Sequence, residues 1–197
     1  MGLRALHKNV IQYTSNSCPP IVGKDFITAK YCSATNSFVL DEIERIKPDE
    51  IVLSAYWYSY GNRISLLSET LNLVRKRSPN SRVVIVGNVP LWPGRLPFLM
   101  LKHNITLEGL KYVKLNSYGS LKSLDKSLEI LASANDSVFF SALDTFCINE
   151  TCQATTMING IAELTTMDYG HLTSAGSLQL AGKLLDSIGS ARNIAIR

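Results

Sequence analysis

Two predominantly apolar runs, Ile51-Val52-Leu53-Ser54-Ala55-Tyr56-Trp57 and Arg82-Val83-Val84-Ile85-Val86-Gly87, constrain the fold of this chain more than any other feature. A strand with one face in water alternates polar and apolar residues, so continuous runs fit strands buried on both faces, as in parallel sheets. Between the runs, Leu67, Leu71 and Val74 recur at helical spacing and predict a helix over about residues 64–76. An earlier helix, capped by Thr35 or Asn36, carries Phe38, Val39, Ile43 and Ile46 on one face and ends at Lys47-Pro48-Asp49. Further helices are expected near 96–102, 117–134 and 174–188, with a strand at Val138-Phe139-Phe140. Residues 9–14 form a short β-rich run, and Asn159-Gly160 predicts a hairpin turn inside 152–164. Strands alternating with helices predict an α/β fold with a parallel sheet covered on both faces.

The chain has 197 residues, of which 46% are hydrophobic and 18% charged. That composition excludes disorder and coiled coil, and the length suits one domain over 1–197. The net charge is only +4, and the one basic cluster, Arg75-Lys76-Arg77, falls at the end of a predicted helix. Cations there complement the helix dipole, and no basic stripe with interleaved aromatics accompanies them, so no nucleic-acid partner is expected. No apolar stretch reaches the roughly 18 residues of a membrane span. Four cysteines allow three pairings. The local pairs Cys18 with Cys32 and Cys147 with Cys152 are expected because each closes a short polar loop, which points to an oxidising compartment such as a periplasm. Zinc is the rival reading, but neither a CxxC spacing nor a nearby histidine supports it, and no metal or cofactor is expected.

In parallel sheets ligands bind at the carboxyl ends of the strands. The run Asp168-Tyr169-Gly170-His171-Leu172-Thr173 opens the last helix and supplies a candidate pair for such a site. An aspartate three residues before a histidine can hold one ring nitrogen and leave the other to take a proton from a hydroxyl. A nucleophile is harder to find. Ser15, Ser17, Ser54 and Ser59 lie near the expected catalytic edge, but none stands in a strand-to-helix elbow such as GxSxG. Trp57, Tyr58, Tyr60 and Trp92 are the aromatics at strand ends; Trp57 and Tyr60 are the candidates for stacking on a sugar ring, and Trp92, between Pro90 and Pro93, is expected to pack.

The late DxxH followed by Leu-Thr and Ser174-Ala175-Gly176 resembles the fifth sequence block of the SGNH hydrolase superfamily. Ser17-Cys18-Pro19-Pro20, Cys32, Lys47-Pro48-Asp49, Val52 to Trp57, Val86-Gly87-Asn88-Val89-Pro90, Cys147 and Cys152 together look like the periplasmic SGNH domain fused to membrane acyltransferases of family three. The resemblance covers essentially the whole chain. It implies a three-layer α/β/α flavodoxin-like fold and transfer of acyl groups, typically acetyl, to bacterial surface polysaccharides such as lipopolysaccharide. It also implies a periplasmic domain tethered to the inner membrane, with the membrane module in the same polypeptide and a surface glycan as partner.

Two features depart from that family. Its nucleophilic serine lies in a Gly-Asp-Ser-His block after the first strand, before a helix ending in something like Gly2-Leu3-Arg4-Ala5-Leu6, and this chain contains no such block. The first strand is therefore expected to be missing, and the chain alone is expected to be inactive. No GxND block is present either, so side-chain donors to an oxyanion are unassigned. Asp168 and His171 would be the acid and base of the reaction. The alternatives are a carbohydrate esterase or deacetylase, and a sugar-binding domain that keeps the dyad as a relic.

Overall fold

The computed structural model describes residues 9–194. Gly2 to Leu6, the expected end of the helix after the nucleophile block, lie outside the described residues. The chain forms two compact units. The first takes in Gln12–Asn88 and Ser123–Ser141, the second Val89–Lys122 and Ala142 onward together with the segment up to Ile11.

In the first unit, helix α1 (Cys32–Ile46) leads to strand β1 (Glu50–Ser54), a 3₁₀ stretch (Trp57–Leu66), helix α2 (Leu67–Arg77) and strand β2 (Arg82–Val86). The second unit then contributes α3 (Leu96–His103), β3 (Tyr112–Lys114) and the start of α4 (Tyr118–Ala134), which runs into the first unit and precedes β4 (Val138–Phe140). The strands β1, β2 and β4 form a parallel sheet in that order, with Val52 opposite Val84 and Ile85 opposite both Leu53 and Phe139. Antiparallel hairpins cannot make such pairings, and the connections between these strands contain helices as parallel pairing requires.

The central strand meets expectation, with Val83, Val84, Ile85 and Val86 all buried. Strand β1 does not, because it alternates: Ile51 and Leu53 face the core while Val52 is 39% exposed. Ile51, Leu53, Val83 and Ile85 pack with Leu40 and Ile43 of α1, Leu67, Leu71 and Val74 of α2, and Leu128 and Ala132 of α4. Burial of that many aliphatic side chains, each worth about 1.5–3 kcal/mol in transfer terms, makes this core the main driving force of the unit.

Two local expectations are corrected. Residues 9–14 form no strand; Tyr13 instead donates its hydroxyl to Glu42 Oε2 at 2.8 Å and sets its ring edge-on to Phe38. Neither Thr35 nor Asn36 caps α1, which starts earlier at Cys32. Asn36 lies inside the helix and donates to the carbonyls of Pro19 and Ile21 at 2.9 and 3.0 Å, fastening the preceding loop. The same loop is covalently fixed by the Cys18–Cys32 disulfide. Helix α1 ends as expected, with Lys47 left-handed before Pro48. The basic triplet ends α2, where Arg77 pairs with Asp41 and Glu44.

The second unit continues with α5 (Ala142–Phe146), β5 (Cys147–Ile148), β6 (Thr151–Gln153), β7 (Thr155–Ile158), β8 (Ile161–Leu164) and α6 (Ser174–Ile194). Its sheets are antiparallel, one in the order β3-β6-β5 and the other the hairpin β7-β8. The hairpin turns at Asn159 and Gly160, both at positive φ, as the sequence predicts. Cys147 and Cys152 occupy paired positions of β5 and β6 and are joined by a disulfide, so both local cysteine pairs form. Leu91, Trp92, Leu96, Leu115, Leu121, Leu143 and Phe146 form this unit's core.

Candidate active site

Asp168 and His171 sit in the loop between β8 and α6, a segment held by threonines. Thr165 and Thr166 are buried. Thr165 donates its backbone N–H to Ala154 O at 2.9 Å and places its hydroxyl against the carbonyls of Gln153 and Ala154. Thr166 donates its hydroxyl to Asp168 O, and Met167 N–H reaches His171 O at 3.2 Å, closing the loop on itself. Helix α6 then starts behind Thr173, whose hydroxyl donates to Leu164 O at 2.6 Å and accepts from Gly176 N–H at 3.1 Å. Thr173 is thus the N-cap of α6.

Gly176 makes this closure possible. A Cβ on it would stand 2.2 Å from Thr165 O, so only a residue without a side chain lets the first turn of α6 lie against the strand end.

The Asp168 carboxylate organises the tip of the loop. One oxygen accepts the backbone N–H groups of Gly170 and His171, at 2.9 and 2.7 Å. The other lies 2.6 Å from His171 Nδ1. That contact makes Nδ1 the protonated nitrogen of the neutral imidazole and leaves Nε2 as the acceptor. Partial burial pushes the Asp168 carboxyl up, but the two backbone donors and the imidazole together outweigh it and hold the group below its ordinary value. It therefore stays charged where a base must work. The His171 side chain is 77% exposed, with the ring edge of Tyr169 beside it at 5.7 Å between centroids. Tyr169 O accepts Trp92 N–H at 2.9 Å, which ties the loop to the core of its own unit.

Among the described residues, the hydrogen-bond partner of the His171 ring is Asp168. Asn88, a polar residue just beyond the end of β2, is no free donor. It is 3% exposed and gives both its backbone N–H and its amide to the buried carboxylate of Asp125, which also accepts from Ser141.

The aromatic expectations need correction. Trp57 has no exposed surface, and its indole N–H donates to Val86 O at 2.8 Å, so its face is part of the core and closed to a sugar. Tyr60 is half-buried, edge-on to Phe26 and hydrogen-bonded through its hydroxyl to Ser17 O at 2.9 Å; it braces the disulfide loop. Trp92 packs, as expected. The aromatic residues left facing solvent in this stretch are Tyr56 and Tyr58. Sequence reasoning located the stretch but not its phase, because four of the five residues from Tyr56 to Tyr60 are aromatic. Thr173 and Gly176 were missed as determinants of the site, since their roles are contacts with a strand end remote from the helix pattern.

Among the described residues no cluster of histidine, cysteine or acidic side chains is arranged to hold a metal ion, and no helix is long and apolar enough to cross a membrane.

A parallel β-α-β sheet together with an Asp-x-x-His loop opening the last helix defines an α/β domain of the SGNH hydrolase type. The family model described as the SGNH domain (fused to AT3 domains) matches residues 2–186, and the chain belongs to that family. The match runs through both compact units. Among solved structures, the chain is similar to the periplasmic domain of a lipopolysaccharide acetyltransferase from Salmonella ser. Paratyphi A, with 24% identity, a TM-score of 0.71, and coverage of 87% of this chain and 69% of that one. It is also similar to a peptidoglycan O-acetylesterase, with 13% identity, a TM-score of 0.51, and coverage of 77% and 40%. At these identities the likeness establishes the fold. No curated protein matches the chain.

Proposed function

We propose that this chain is the acid–base portion of a periplasmic acyltransferase domain that moves acetyl groups onto hydroxyls of a bacterial surface polysaccharide. The observation that carries the reading is the Asp168–His171 pair, with Nδ1 held at 2.6 Å and the imidazole open to solvent. The family's description as a domain fused to membrane acyltransferase modules supports a membrane-tethered parent, and the likeness to a lipopolysaccharide acetyltransferase domain supports the polysaccharide acceptor.

In this reading His171 Nε2 takes the proton of a serine hydroxyl as its oxygen attacks the acyl carbonyl, and Asp168 stabilises the imidazolium that results. The donor's leaving group then takes that proton. In the second half-reaction Nε2 removes the proton of a sugar hydroxyl as its oxygen attacks the acyl-serine, and the imidazolium returns that proton to the departing serine oxygen. The 197 residues contain no Gly-Asp-Ser-His block, so the nucleophile is assigned to a serine supplied by the parent protein.

The test is acetyl transfer by the parent protein to its polysaccharide. The expected result is transfer that falls roughly 10³-fold or more in His171→Ala. The chain by itself should hydrolyse p-nitrophenyl acetate no faster than its His171→Ala variant; clear turnover abolished by that substitution would overturn the assignment of the nucleophile. A parent that releases acetate from acetylated glycan but never transfers it would replace the acyltransferase with an esterase, the activity named for the peptidoglycan relative.

A further inference from the structure

The structure exposes an aromatic pair at the carboxyl end of β1, and we propose that Tyr56 and Tyr58 form a glycan-binding platform that seats a pyranose ring of the acceptor polysaccharide. The local backbone forces this arrangement. After Ser54 the chain leaves β1 and turns, with Trp57 N–H on Ala55 O and Ser59 N–H on Tyr56 O. Trp57 is then driven wholly inside and locked by its bond to Val86 O, which turns its two neighbours away from the core. Tyr56 is 42% and Tyr58 50% exposed, with ring centroids 6.2 Å apart and planes tilted by 36°.

Tyr56 and Tyr58 thus present two aromatic rings side by side to solvent. Their position is maintained from both sides, by Trp57 within and by the Tyr60 hydroxyl on Ser17 O beyond. A rigid, partly apolar surface with hydroxyls at its edge suits the alternating CH and OH character of a sugar ring. Ser54 ends β1, and its exposed side chain, with that of Ser59 next to Tyr58 in sequence, adds hydrogen-bonding groups beside the pair. In parallel α/β sheets that end is where ligands dock. The choice of a sugar over another flat ligand rests on the acyltransferase reading; the platform itself rests on Trp57 and its two neighbours.

The experiment titrates the isotopically labelled chain with chemically de-O-acetylated O-polysaccharide released by mild acid from the bacterium that encodes it. The tyrosine ring resonances and the dissociation constant are recorded. Binding should move the Tyr56 and Tyr58 signals, and the Tyr56→Ala, Tyr58→Ala double variant should bind roughly 10-fold more weakly or worse, while the corresponding Phe variants keep most of the affinity. Both residues are exposed, so an unchanged melting temperature separates lost binding from lost folding. Unaltered affinity in the double variant, or no binding at saturating polysaccharide, overturns the proposal. His171→Ala distinguishes the two readings: binding that survives while transfer by the parent protein is lost keeps both. Binding through the tyrosines in a parent with no transfer keeps the platform and removes the acyltransferase. Transfer with unchanged KM in the double variant does the reverse.

Discussion

The sheet end beside Trp57 and the loop carrying His171 solve the same problem, fixing a side chain at the edge of a unit, by opposite means. Around Trp57 the work is done by apolar burial: the indole sits among Leu53, Ile64, Leu67 and Ile85, with one hydrogen bond setting its rotation. Around His171 the fixing groups are polar: threonine hydroxyls, backbone carbonyls and one carboxylate with three partners. The first arrangement tolerates water poorly and the second is half immersed in it. A base that must meet a substrate needs exposure, so its orientation has to come from directional hydrogen bonds, since burial would close the site.

Substitutions on each side separate the two modes. Trp57→Ala removes the largest fully buried side chain and its bond to Val86, and is expected to cost about 3–5 kcal/mol, or roughly 10 °C in melting temperature. A loss under about 1 kcal/mol would mean the indole is not the anchor of that sheet end. Next in size is Gly176→Ala, which sets a methyl against Thr165 O and is expected to destabilise by about 3 kcal/mol. Its diagnostic feature is a displaced His171 resonance, whereas Trp57→Ala should leave that resonance where it is. Equal disturbance of His171 by both variants would break the contrast.

The smallest effect is a pH dependence. The folded-state value of Asp168 lies below its ordinary 3.8, so its charged form contributes stability that is full above that value. The contribution is lost as pH falls through the lowered folded value. Wild type and Asp168→Asn should therefore differ in melting temperature at neutral pH and converge in acid below 3.8. A gap that widens on acidification would show that the carboxylate is not held by these donors.

The same contrast explains what could be read in advance. Strands β2 and β4, helices α3 and α4 and the Asn159-Gly160 hairpin announce themselves through apolar runs, helical spacing and turn chemistry, all local signals. Both disulfides were legible because each closes a short loop. Strands β3, β5 and β6 were not, being two or three residues long and specified by pairing with one another. The residues 9–14 carried a β-rich composition but found no partner strand among the described residues, and composition without pairing makes no sheet. At the site, Asp168 and His171 were visible as a spacing. The clasp that orients them was not: Gly176 stood out only as part of a sequence block, and its contact with Thr165 joins residues eleven apart that no local pattern links. Trp57 and Tyr60 were placed at the right strand end, but an aromatic-rich stretch has no polar alternation from which to tell inward rings from outward ones.

The contact between Gly176 and Thr165 also changes what can be moved between proteins. A hexapeptide bearing Asp168 and His171, grafted onto another loop, would lack the surface that bends it. The smallest portable cassette runs from Gln153, whose carbonyl receives Thr165, to Ser177, whose N–H closes on Thr173. A search pattern requiring threonine at 165, 166 and 173 and glycine at 176, with Asp168 and His171, would discriminate between assembled dyads and the many chance occurrences of the spacing alone.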